Sequence, residues 1–340
     1  MYTLYYHNFN FLKIIFTLIV VLYHFVRFMG FWNQGGYAVE LFFIISGFLC
    51  ATTFDKNISV LKFSKKRIFS FMPLLILAIL TLMPNYIISI KQILNNILLN
   101  PFFGKNLFAL HAWYITVWFW ISLGLFCLAK TFQKKHLLLI ISLLTCYSII
   151  TMISHDKWIG WQKINGIDTG YLRGMAGMGI GYLLSYTVPQ LTINKHTKKT
   201  NLYLLKKIFF TCLECFFLFY TIFSMFIQKL FISPYVILVS SAILIYLFTQ
   251  QKGWLSTFTN QPSFSKIKNF ILPIYLLQMS PISIFYTIYF DNKNLLDQYP
   301  LLTICITLIL VCIYGISGYY FLKYLSNLWK RVVSIKKKTS

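Results

Sequence analysis

The chain has 340 residues, of which 58% are apolar and 11% charged, and its net charge is +24. A soluble domain carries about a quarter charged residues, so this composition cannot cover a water-facing surface but can cover a lipid-facing one. Several apolar runs reach the ~20 residues that cross a hydrocarbon core at about 1.5 Å per residue, which excludes the ~10-residue alternation of a membrane β-barrel. On a soluble protein the basic excess would suggest nucleic acid; here it sits in short segments between apolar runs and reads as a topology signal, with no nucleic-acid partner.

In chain order the apolar runs predict spans at 11–30, 36–54, 71–90, 111–129, 137–153, 167–188, 206–228, 232–250, 269–290 and 300–323. The expected fold is therefore all-α: a polytopic membrane bundle of about ten transmembrane helices in a lipid bilayer. The first run, Phe11 to Met29, is too long for a signal-peptide core and no small-residue cleavage site follows it, so no cleavable signal is expected. A single domain is expected over 1–340, with its core at about 9–325 and a basic cytoplasmic tail at 326–340. With the N-terminus inside and strict alternation, 23 of the 31 Lys and Arg fall on the inner side and 8 on the outer. That asymmetry in short loops orients both termini toward the cytoplasm. Dropping one span would scramble the alternation downstream.

Nearly all seven cysteines fall inside apolar runs and read as small apolar side chains. Cys212 and Cys215 have CxxC spacing but no partner pair, so no metal is expected. Trp32, Trp113, Trp158 and Trp161 sit at or just beyond the predicted outer helix ends. They read either as an interfacial belt or as a platform for a sugar ring, with Trp32 and Trp113 the substrate-binding candidates. Gly170, Gly174, Gly177 and Gly181 recur every three or four residues, a pattern that lets helices pack closely.

Ionisable residues inside spans are costly and mark candidate sites. Lys13 and His24 lie eleven residues apart on the first span, within about 20° of one helix face and ~16 Å apart along the axis. Across a short turn, Glu40 stands about four residues into the second span, at a depth like that of His24. A carboxylate can orient an imidazole and stabilise its protonated form, which equips His24 as a general base for a hydroxyl. Lys65, Lys66 and Arg67 precede the predicted third span and suit either membrane anchoring or phosphate binding. Glu214 is mid-span, and its role is not assigned from sequence.

Taken together, Leu12-Lys13, Val20 to Phe25 around Tyr23-His24, Gly36 to Leu49 around Glu40 and Ser46, then Lys66-Arg67 and Pro73 resemble the acyltransferase-3 family of membrane-bound acyltransferases that modify cell-surface carbohydrates. Weaker echoes occur at Trp113-Tyr114, Arg173-Gly174 and Tyr275-Leu276-Leu277. Lys13 stands where the family usually has Arg, Ser70 where a second Arg is frequent, and Gln278 where His is common. The resemblance implies that His24 is the catalytic base and that Lys13, Lys66 and Arg67 hold acyl-CoA, with acetyl-CoA as donor. It also implies a surface glycan or lipid-linked sugar as acceptor and residence in the inner or plasma membrane. A polytopic transporter or flippase is the rival class, against which no inverted repeat with paired broken helices is visible.

Overall fold

In a computed structural model of the protein, residues 6–28, 34–54, 57–83, 90–98, 112–155, 158, 162–187, 201–226, 234–291 and 299–339 are described. The apolar runs among them fold as helices. In chain order these are α1 (Asn8–Phe28), α2 (Ala38–Thr53), α3 (Val60–Leu82), α4 (Ile90–Ile97), α5 (Trp113–Thr131) and α6 (Lys134–Ser154). Then come α7 (Thr169–Thr187), α8 (Asn201–Phe226), α9 (Pro234–Gln250), α10 (Trp254–Thr259), α11 (Lys268–Leu277), α12 (Met279–Asp291) and α13 (Pro300–Thr339). The protein is thus all-α in class. Six helices, α1, α2, α5, α6, α8 and α13, are long and apolar enough to cross a membrane, and the bent pair α11–α12 makes a seventh. The other three predicted spans fall on α3, α7 and α9. The first turns of α3 carry Lys62, Lys65, Lys66 and Arg67, α7 contains five glycines and Arg173, and α9 has 17 residues.

Four boundaries depart from the sequence expectation, each for a local reason. The helix expected from residue 71 begins at Val60, because the Ser59 side chain accepts a hydrogen bond from the Lys62 N–H at 3.2 Å and caps it. Lys65, Lys66 and Arg67 therefore lie on a helix instead of preceding one. The span expected at 269–290 bends by 47°. Pro273 and Pro281 remove the N–H groups that would bond the carbonyls four residues back. Residues 163–168 form a two-stranded antiparallel hairpin, β1 (Lys163–Ile164) and β2 (Ile167–Asp168), before α7 starts at Thr169. Its loop, Asn165-Gly166, has φ of 49° and 82°, the left-handed pair that a two-residue hairpin turn demands. Finally, the predicted tail at 326–340 is helical through Thr339, since α13 runs for 40 residues, about 60 Å at 1.5 Å per residue.

At the centre stands α2, with 11 of its 16 residues buried. A helix that is apolar all round belongs inside a bundle, and α2 is covered by α7, α9, α1 and α5. The α7 stripe read as a packing face meets it directly. A Cβ on Gly177 would strike Phe43, one on Gly181 would overlap the Ile44 carbonyl, and one on Gly47 would overlap that of Met178. The backbones are therefore too close for any side chain at Gly47 or Gly181. The outer faces are apolar in turn: Leu139, Leu143 and Ile150 on α6, Phe209, Phe216 and Phe219 on α8, and Leu301 and Ile309 on α13 are all exposed. Helix faces lined by exposed large apolar side chains belong in lipid.

Gly181→Leu should therefore destabilise the detergent-solubilised protein by at least the 1–3 kcal/mol, roughly, that overpacking costs, read as a fall in thermal midpoint. Gly124, where an added Cβ meets nothing within 4 Å, should tolerate Ala with an unchanged or higher midpoint.

Candidate functional site

Helix α1 carries three polar residues on one stripe. Lys13, Thr17 and His24 are spaced by four and then seven residues, and helical geometry keeps them within about 40° of one another. Lys13 and His24 are half-buried and Thr17 is fully buried. The lower part of the stripe opens on a cavity of about 180 Å³. Lys13 and Thr17 form one wall; Phe42 and Ser46 of α2, Ser70 and Phe71 of α3, Tyr114, Ile115 and Trp118 of α5, and Ile271, Leu272 and Tyr275 of α11 supply the rest. Most of that lining is aromatic or aliphatic. Across it, the Ser46 and Tyr114 hydroxyls face each other at 3.4 Å.

The phase of α3 separates its three basic residues. Phe63, Arg67 and Phe71 recur every four positions and face inward, while Lys65 and Lys66 are exposed. Lys66, expected beside the donor, thus lies away from the cavity, and Arg67 stands next to it. The Arg67 guanidinium is 4.7 Å from the ring of Trp118, a cavity residue, and 5.1 Å from that of Phe63. Its Nη2 donates to Cys50 Sγ at 3.7 Å. Arg67 and Lys13 are within electrostatic reach of each other. Among the described residues the recorded ion pair is Arg173–Glu40, so neither of these two cations has a carboxylate. Two like charges held near an apolar cavity without a counter-ion form a receptive place for an anion.

Near the other end of α1, Glu40 has a partner that the sequence reading did not give it. Expected to orient His24, its Oε1 instead accepts a hydrogen bond from Arg173 Nε at 2.6 Å, with both side chains buried. Arg173 Nη2 also donates to the Gly36 carbonyl at 3.2 Å. Its guanidinium lies 5.0 Å from the Trp113 ring and 5.4 Å from that of Tyr37. The glycine contacts explain this: they draw α7 against α2 until Arg173, just below Gly174, reaches the first turn of α2. A permanent cation at 2.6 Å is a stronger partner for a carboxylate than a neutral imidazole. Glu40 Oε2 is buried and has no hydrogen-bond partner. On α1, Tyr23 packs beside the start of α2, its ring 3.2 Å from where a Cβ on Gly36 would sit, and it lies 5.2 Å from the His24 ring.

Other candidates divide. Trp113 is buried against Phe43 and Arg173, so it supports the ion pair and presents no open ring face. Trp158 is buried beside Tyr235, and Trp32 and Trp161 lie outside the described residues. Glu214 gains a clear role. Its carboxylate accepts from the backbone N–H groups of Gly253 and Ser256 at 3.2 and 3.1 Å and from the Ser256 hydroxyl, capping α10. Cys212 and Cys215 are exposed free thiols, and no metal-binding group of His, Cys, Asp or Glu occurs among the described residues. Sequence reasoning passed over Arg173 as a site residue. In the sequence Arg173 figures as an outer charge and, with Gly174, as a weak echo of the family pattern, although the cost of a cation inside the predicted sixth span was the available signal.

Comparison with curated proteins and with solved structures returns no match. Against family models, residues 6–318 match an acyltransferase domain, Acyl_transf_3. That match spans the α1 stripe, the cavity and the Glu40–Arg173 pair, and covers essentially the whole chain; the protein belongs to the acyltransferase-3 family and is a multi-pass membrane acyltransferase.

Proposed function

We propose that this chain is an O-acyltransferase that moves acetyl from cytoplasmic acetyl-CoA to a hydroxyl of a cell-surface or lipid-linked glycan, with His24 as the base. The reading includes about ten spans with both termini cytoplasmic, and a place in the inner or plasma membrane. It is carried by one observation: Lys13 lines a cavity on the α1 stripe that leads to His24, Arg67 of α3 stands beside that cavity against Trp118, and among the described residues neither cation pairs with a carboxylate. The coenzyme's phosphates would sit on Lys13 and Arg67. Its pantetheine arm would follow the cavity, and the ~16 Å between Lys13 and His24 suits an extended arm.

His24 would take the proton of the acceptor hydroxyl as its oxygen attacks the thioester carbonyl. The carbon–sulfur bond then breaks, the acyl group remains on the new ester oxygen, and the coenzyme leaves as a thiol after taking up a proton. A covalent acyl-His24 formed before the acceptor arrives is the alternative order; labelled acyl-enzyme trapped without acceptor would distinguish it from direct transfer. Arg173 and Glu40 act at one remove, by tying the start of α2 to α7 beside Tyr23 and His24. Glu40 Oε2 is the acceptor left for an imidazolium or a substrate hydroxyl.

Three outcomes test this reading. In cells that make a defined surface polysaccharide, wild type should add O-acetyl groups seen by mass spectrometry. His24→Ala, present at equal level, should add none; full activity of that variant would remove His24 from the mechanism. Lys13→Gln should raise the KM for acetyl-CoA by about tenfold or more, the loss expected for a charge-assisted contact, whereas Lys13→Arg should hold or lower it. Glu40→Ala should cost about 3–5 kcal/mol of stability by stranding Arg173. The double variant Glu40→Met with Arg173→Met should recover part of the thermal midpoint while leaving acylation impaired.

A further inference from the structure

Thr17 carries an unexplained hydroxyl. Several buried threonines on the other helices return theirs to a carbonyl of the preceding turn, Thr145 to Ile141, Thr221 to Phe217, Thr249 to Tyr246 and Thr307 to Thr303. A helical threonine makes that local bond when its χ1 rotamer turns the hydroxyl toward the preceding turn. Thr17 is fully buried, yet its Oγ1 has no hydrogen-bond partner, and the residue lines the cavity. A buried hydroxyl left without a partner is destabilising. It is tolerated where something that enters the site completes it.

We infer that Thr17 is a ligand-binding residue, whose hydroxyl makes a hydrogen bond to an amide of the pantetheine arm as that arm passes from Lys13 toward His24. The assignment rests on the acyl-CoA reading above and adds a contact to it. Position sets the chemistry of the ligand group. Thr17 lies one turn, ~6 Å, above Lys13 and two turns, ~10 Å, below His24. The group it meets therefore belongs to the middle of the ligand, neither the anionic end nor the reacting carbonyl. The walls around it are apolar at Phe42, Phe71 and Trp118. A chain that is slender and largely apolar, with amides spaced along it, fits such a passage; a hydroxyl satisfies either the N–H or the C=O of an amide.

The test is calorimetric titration of the full-length protein in detergent with two probes, coenzyme A and adenosine 3′,5′-bisphosphate, which lacks the arm. Thr17→Val removes the hydroxyl at nearly constant shape and should weaken coenzyme A by about three- to tenfold, the worth of a neutral hydrogen bond. Adenosine 3′,5′-bisphosphate should bind that variant as it binds wild type. Thr17→Ser should bind coenzyme A within about twofold of wild type. Coenzyme A bound equally by Thr17→Val and wild type would overturn the assignment, and an equal loss for both probes would make Thr17 structural. If wild type bound neither probe, the acyl-CoA reading itself would fail, and the contact with it.

Discussion

A carboxylate and a guanidinium buried together between α2 and α7 cannot be separated without leaving a charge where water cannot reach it. Much of the architecture near His24 depends on that constraint. Arg173 binds Glu40 and the Gly36 carbonyl at once, so one side chain ties the first turn of α2 and the chain entering it to α7. Trp113 and Tyr37 flank the guanidinium and exclude solvent from it. The pair forms only because Gly177, Gly181 and Gly47 let the two backbones meet. The hairpin at 163–168 fixes where α7 begins, with Thr169 N–H donating to the Gln162 carbonyl at 2.8 Å. Small residues set the distance, and the ion pair uses it.

The basic end of the site is organised in the opposite manner. Arg173 is neutralised, whereas Lys13 and Arg67 have no carboxylate among the described residues. Flat rings and a thiol hold Arg67 in place, which supports its orientation and leaves its charge uncompensated. A membrane protein that keeps two cations in that condition beside a cavity gains if an anion arrives from outside. The proposed direction of reaction along α1, from Lys13 to His24, follows from this difference between its two ends.

The polar groups at the Lys13 end are also tied together from far away in sequence. Asn260 Oδ1 accepts from the N–H groups of His7 and Asn8, which caps α1, and Asn8 donates to the Phe248 carbonyl. Glu214 caps α10 immediately before that loop. Two capping interactions therefore connect α8, α10 and α1, and the position of Lys13 depends on residues about 250 positions later.

Hydropathy and charge in the sequence determined the class of protein, the location of nearly every apolar helix and the α1 stripe. Those properties follow from single-helix length and periodicity, which need no knowledge of neighbours. The Gly47–Glu40 region and the glycines of α7 were legible as a motif and a packing face for the same reason. Which charges meet was decided only in three dimensions. Glu40 was matched in the sequence to the nearest imidazole along the chain, but helix packing brought it a guanidinium from 133 residues away. Lys66 and Arg67 are neighbours in sequence, yet a helix that starts at Val60 turns one outward and the other toward the cavity. Nothing in the sequence marks Thr17, and its unsatisfied hydroxyl is visible only when the walls around it are in place. Periodicity is a property of one helix; a partner, a cavity and an orphaned hydrogen-bonding group are properties of several helices packed together.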